Sequence, residues 1–163
     1  SLGPQPIVSP PNLGIMPPEA HSIAKQELTI LKKDGLRHTF PIIAQVVGTA
    51  ATNSASYTTP FFIARSNYEV ISVKERHEVA GSSGGAVTLQ INRAADGVAP
   101  SSGTAVLTSG INLKATANTL QTGTVTTVIL NKRLIDGDSL ALITTGALSS
   151  VQGVSVVIEL KSL

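Results

Sequence analysis

Cysteine and tryptophan are absent from the 163 residues, and all aromatics together make up 3%. Without cysteine no disulfide framework and no thiolate metal site exists, so packing or assembly must supply stability. With Tyr57 and Tyr68 the only tyrosines, a sugar site built on stacked rings has little to build on. Charge is scarce too. Only 13% of residues are charged, about half the usual share. The 12 Lys+Arg nearly balance the 10 Asp+Glu, leaving a net charge of +2. Such a balance is not the electrostatic footprint of a nucleic-acid binder. The basic doublets Lys32-Lys33, Lys74/Arg76 and Lys132-Arg133 stand apart, with no interleaved aromatics. No apolar run approaches the ~20 residues of a membrane-spanning helix, and the start carries no basic, then apolar, leader. The sequence therefore predicts neither a nucleic-acid nor a membrane partner.

What is present is 42% hydrophobic residues, too many for ordinary disorder. The length suits one domain in which roughly two-thirds of the extended chain's surface is buried. Ser and Thr supply about a fifth of the chain and Ala about a tenth. A surface of that kind is polar but weakly charged, whereas a free monomer ordinarily carries more charge. The composition points to an assembly component.

Residues 1–24 differ from the rest. Pro4, Pro6, Pro10, Pro11, Pro17 and Pro18 are six of the nine prolines. Proline fixes φ and pushes its predecessor into extended geometry, which excludes both helix and central strand. The segment reads as an extended, partly polyproline arm. Ile7, Val8, Leu13, Ile15 and Met16 stud it with apolar groups that a plain spacer would not carry. Pro4, Pro6, Ile7, Val8, Leu13, Ile15 and Met16 are the candidate docking residues, for a partner or a neighbouring subunit.

Residues 25–163 read as a β-domain. Leu28 and Ile30 alternate with Thr29, and Lys33-Asp34-Gly35 is a turn leading into Leu36–Phe40. Ile42–Val47, Phe61–Ala64 and Tyr68–Val79 read as strands. Gly81–Gly85 is a hairpin turn, after which Val87, Leu89 and Ile91 alternate with Thr88, Gln90 and Asn92 in a half-buried strand. Ala94–Gly110 is loop-like, Ile111–Leu120 is strand or helical turn, and Gln121–Leu130 is Thr/Val-rich and β-prone. Asp136-Gly137-Asp138 turns into Ser139–Ile143. In the last strand Val154, Val156, Ile158 and Leu160 oppose Ser155, Val157, Glu159 and Lys161. Short strands with Gly-rich turns at about ten-residue spacing predict an all-β, jelly-roll-like antiparallel sandwich behind the Pro-rich arm.

Catalytic and metal patterns are few. Gly81-Ser82-Ser83-Gly84-Gly85 satisfies G-x-S-x-G, but that elbow needs a helix after it, and no histidine follows His77. His21, His38 and His77 are too scattered for a local metal motif. Glu75 and His77 share one strand face with Glu78 nearby, which suggests a zinc or proton-relay site less than a solvated or interface-facing strand edge. Asp136 and Asp138 fall short of the six or more oxygens calcium prefers. No enzyme, metal or cofactor is expected.

The ordered series from Tyr68 carries a resemblance. It runs through Val70-Ile71-Ser72-Val73, Ala80–Ile91, Ala99–Leu107 and Ile111–Thr119, then Asp136–Leu142 and Gly153–Ile158. This series resembles the β-sandwich domain of tailed-bacteriophage capsid decoration (cement) and head-fibre proteins, over about 60% of the chain. The resemblance implies a non-enzymatic virion structural protein, commonly trimeric, on the outer surface of an icosahedral capsid. The major capsid protein and further copies of the chain would be its partners, with the arm as the gripping element. Related sandwiches in tail fibres imply the alternative of a tail-fibre or baseplate component that binds a host receptor.

Overall fold

A computed structural model describes residues 38–49 and 60–163. The proposed arm, its boundary at residues 24 and 25, the strand at Leu28–Ile30 and the turn at Lys33–Gly35 lie outside the described residues.

Among the described residues ten strands form two antiparallel sheets. They are β1 (Thr39–Thr49), β2 (Pro60–Ile63), β3 (Tyr68–Arg76), β4 (Thr88–Ala94), β5 (Thr104–Ala105), β6 (Ile111–Asn112), β7 (Gln121–Gly123), β8 (Arg133–Leu134), β9 (Ser139–Thr145) and β10 (Gln152–Ser162). One sheet has the order β1-β10-β3-β7, with β8 also on β3; the other has β2-β9-β4-β5, with β6 also on β4. The first strand thus pairs with the last, β2 with β9, β3 with β8 and β4 with β5. A long hairpin wrapped into two sheets gives this nesting, the topology of a jelly roll. The all-β sandwich expected from strand spacing is the fold observed.

Alternation fixes which faces turn inward, because successive side chains in a strand point to opposite sides. In β10, Val154, Val156, Ile158 and Leu160 are buried while Glu159 is exposed, as the pattern predicts. They meet Leu89 and Ile91 of β4, Leu140 and Leu142 of β9 and Val70 and Val73 of β3 in one core. Each fully buried side chain of this size contributes roughly 1.5–3 kcal/mol relative to exposure. Among the described strands β1 lies at a sheet edge, where Pro41 is tolerated despite lacking an N–H.

Four expectations need correction. Gln121–Leu130 is not one strand: β7 stops at Gly123, and Ile129–Lys132 forms a single helical turn. Gly123 lies against Leu107 and Ile111, and after it Val125 bridges Leu107 of the other sheet's margin. Thr108 N donates to Thr124 O and Thr126 N to Val106 O, so this segment's pairing crosses between sheets instead of extending one. Second, β4 is covered on both faces. Asn92 is 7% exposed and donates to Pro100 O, because residues 99–107 fold over that face through a 3-10 turn at Pro100–Ser102. Third, Gly81–Gly85 is no hairpin turn, since β3 and β4 belong to different sheets; the segment is part of a crossover. The fourth concerns Glu75 and His77.

Candidate functional site

A β-bulge in β3 decides where Glu75 and His77 point. Glu159 pairs with Ser72 but Leu160 pairs with Val70, so Ile71 is an extra residue opposite β10. An extra residue reverses the alternation beyond it. Val70 and Val73 both become core residues, and Glu75 and His77 follow Val73 inward, while Lys74 and Arg76 face out. Glu75 and His77 are both 0% exposed. The shared strand face was legible in the sequence; the solvated or interface-facing edge was not the outcome, because the bulge turns that face into the interior.

A buried charged or polar group must find partners. His77 Nδ1 lies 2.9 Å from Glu75 Oε1 and Nε2 lies 2.9 Å from the carbonyl of Ala115. Gln121 Nε2 donates to Glu75 Oε2 at 2.7 Å and to the Asn112 carbonyl at 2.9 Å. The backbone of Asn118, in the left-handed region at φ 60°, donates from N to His77 O at 2.8 Å. The connection from β6 to β7 is thereby fastened to the end of β3. Lys114 Nζ adds a clasp to the crossover, donating to Ser83 O at 2.6 Å and Gly85 O at 3.2 Å.

Above this network lies a surface depression of about 360 Å³, lined by Lys74, Arg76, Glu78, Asn118, Leu120 and Val157 among others. Its walls combine two cations with apolar Leu120, 60% exposed, and Val157. This is where the structure brings the doublet Lys74/Arg76 together with the neighbours of Glu75 and His77. The register of β10 against β3, which sets Val157 opposite Lys74, makes that neighbourhood, and no local sequence pattern encodes it.

The remaining candidates are structural. In the G-x-S-x-G segment Ser82 Oγ lies 2.8 Å from Ser150 Oγ, and Ser83 Oγ accepts from Gly85 N. Strand β4 follows instead of a helix, and the bonds of His77 are made elsewhere. Asp138, 2% exposed, accepts from Arg93 Nη1 at 2.9 Å and from Ile135 N at 3.1 Å, while Asp136 pairs with Arg65 at 3.2 Å. Gly137 at φ 95° completes the expected Asp-Gly turn. Arg133 pairs with Glu69 across β8 and β3. Among the described residues no three His, Asp or Glu side chains gather as a metal ion would require. The arm residues Pro4, Pro6, Ile7, Val8, Leu13, Ile15 and Met16, together with His21, lie outside the described residues.

Fold and site together define a jelly roll whose buried polar clusters fasten loops to strands. No protein-family model matches the chain, and no curated protein matches it by sequence. Among solved structures the chain is similar to one in the capsid asymmetric unit of cyanophage Pam1, with a TM-score of 0.51 and 13% identity, over 78% of this chain and 86% of that one. It is similar also to a chain in the capsid of Ralstonia phage GP4, with a TM-score of 0.53 and 9% identity, over 77% of this chain and 84% of that one. A chain of Bacillus endospore appendages, which form disulfide-linked pili, aligns at a TM-score of 0.37 and 16% identity, over 80% of this chain and 93% of that one. That last alignment is too loose to argue from. At these identities the likeness is one of fold, and the fold is one that phage capsids contain.

Proposed function

We propose that the chain is a virion structural protein that decorates and stabilises an icosahedral phage capsid, gripping capsid subunits through its N-terminal arm and acting without catalysis. The observation that carries this reading is the match of the jelly roll to two phage capsid chains over 86% and 84% of their lengths. The sequence supports the finer part. Six of the nine prolines fall within residues 1–24, and a proline-rich segment pays less ordering entropy at docking. Several arms on one homotrimer bind with an avidity no single arm reaches. A protein that binds only the assembled shell stabilises that shell by mass action.

The test is co-sedimentation of the full chain, and of a chain lacking residues 1–24, with capsids built from the phage's own major capsid protein. The full chain should pellet with the shell and protect it against heat. The truncated chain should stay in the supernatant with its β-sheet circular dichroism intact. Undiminished binding without the arm overturns the arm's role, and electron micrographs that place the labelled chain on the tail overturn decoration.

A further inference from the structure

Aspartate is followed by glycine at Asp34-Gly35, Asp96-Gly97 and Asp136-Gly137. The first pair lies outside the described residues. A glycine after aspartate leaves its amide nitrogen unshielded, because it has no Cβ. That nitrogen can attack Cγ of the preceding aspartic acid. The new N–Cγ bond closes a five-membered succinimide, and the carboxyl OH leaves with the amide proton as water. Water then reopens the ring. Cleavage at Cγ restores aspartate, and cleavage at the main-chain carbonyl gives isoaspartate, whose backbone runs through Cβ and Cγ. The reaction needs no co-reactant but water. It does need a nitrogen and a carboxyl that are free to approach each other.

The two described pairs differ in that respect. Both glycines have positive φ, 81° at Gly97 and 95° at Gly137. Gly137 N, however, donates to Ala64 O at 2.9 Å, and Ala64 N donates to Asp138 O at 2.7 Å. Ala64 is 0% exposed, so this double tether holds the turn to the core. The Asp136 carboxylate is also paired with Arg65 Nε at 3.2 Å, although that pair is exposed and holds weakly. Gly97 has no such hold. Among the described residues neither its N–H nor the Asp96 carboxylate has a hydrogen-bond partner, and residues 95–99 are all exposed. We propose that Asp96 is a site of spontaneous isomerisation to isoaspartate in the folded protein, and that Asp136, in the same dipeptide, is protected by its tether to Ala64. The fold accommodates the product. Isoaspartate lengthens the main chain by one methylene and keeps one carboxylate, and the segment beyond is pinned separately. Asn92 Nδ2 donates to Pro100 O at 3.0 Å and Val106 N to Ile91 O at 2.8 Å. What changes is the surface: Asp96 lines a depression of about 460 Å³ with Ile63, Arg65, Val98 and Asp136, and its carboxylate is displaced there.

The experiment ages the full chain in mildly acidic buffer, once folded and once unfolded in guanidinium chloride. The chain is then digested, and isoaspartate is located in the peptides by electron-transfer fragmentation. In the unfolded chain Asp96 and Asp136 should convert at similar rates, since the following glycine alone then governs the reaction. In the folded chain isoaspartate should accumulate at Asp96, and about tenfold more slowly at Asp136, the factor expected when a backbone hydrogen bond must first be broken. Asp96→Glu should abolish the signal at residue 96, because glutamate would have to close a six-membered ring, and should leave the rate at Asp136 unchanged. Conversion of Asp136 as fast as Asp96 in the folded chain overturns the protection. An Asp96 that converts when unfolded and stays intact when folded overturns the site.

Discussion

At the scale of single residues, a few positions are held by geometry that no other residue type meets. Gly146 ends β9 at φ 90°, and a Cβ there would run into the carbonyl of Ala86. The clash is with backbone, so no side chain can swing away. Gly146→Ala should cost about 2–4 kcal/mol, combining a left-handed φ with the steric conflict, read as a drop in the urea midpoint at unchanged slope. A loss within experimental error would mean that the chain after β9 reorganises freely. Arg93 is a different case. Its Nη1 reaches Asp138, yet its Nε is buried with no hydrogen-bond partner. A buried pair of this kind stabilises less than its short distance suggests, since desolvation opposes the attraction.

At the scale of elements, the margin of β4 shows a side chain completing a sheet. β5 pairs with Asn92 and Arg93 and β6 with Thr88 and Leu89, which leaves a gap between them. Gln90 fills it: Oε1 accepts from Leu107 N at 3.0 Å and from Ile91 N at 2.9 Å, and Nε2 donates to Leu107 O at 3.1 Å. The amide imitates a peptide unit of the missing strand. Gln90→Ala should destabilise the fold by about 1–3 kcal/mol, the range for leaving partly buried backbone groups unpaired, and should raise exchange at the Leu107 amide first. If Leu107 keeps native protection in the variant, the bridge to Val125 holds that segment without Gln90.

At the scale of the whole molecule, the outer face of the first sheet carries exposed apolar side chains among its polar ones. Ile43 and Val157 are cross-strand neighbours at 62% and 36% exposure, and Ile71 adds 38% at the bulge. Exposed apolar side chains grouped on one sheet face suit association. Static light scattering of the full chain should give about 50 kDa, three copies of a 16.8 kDa chain. Ile43→Glu with Val157→Lys should then lower that mass if this face is the contact. A native mass of one chain rejects the homotrimer.

Strand existence was readable where alternation was strong and the strand kept one phase. The last strand is the clearest instance, with its four inward apolar residues all buried. Reading failed where pairing partners are distant in sequence. Thr124–Thr126 has β-prone residues and strand-like pairing, but with residues 106–108 across the sandwich, which no local pattern encodes. Asn92 looks polar and solvent-facing until residues 99–107 fold over it.

The sequence by itself determined an all-β chain without thiol chemistry, low in charge and in aromatic rings. Those properties follow from composition and from a two-residue period, both local. Only the tertiary structure decided that Glu75 and His77 are buried together, because one extra residue in β3 reverses every side chain beyond it. A bulge is defined by a partner strand some eighty residues away, and its register is set by the packing of the whole sandwich.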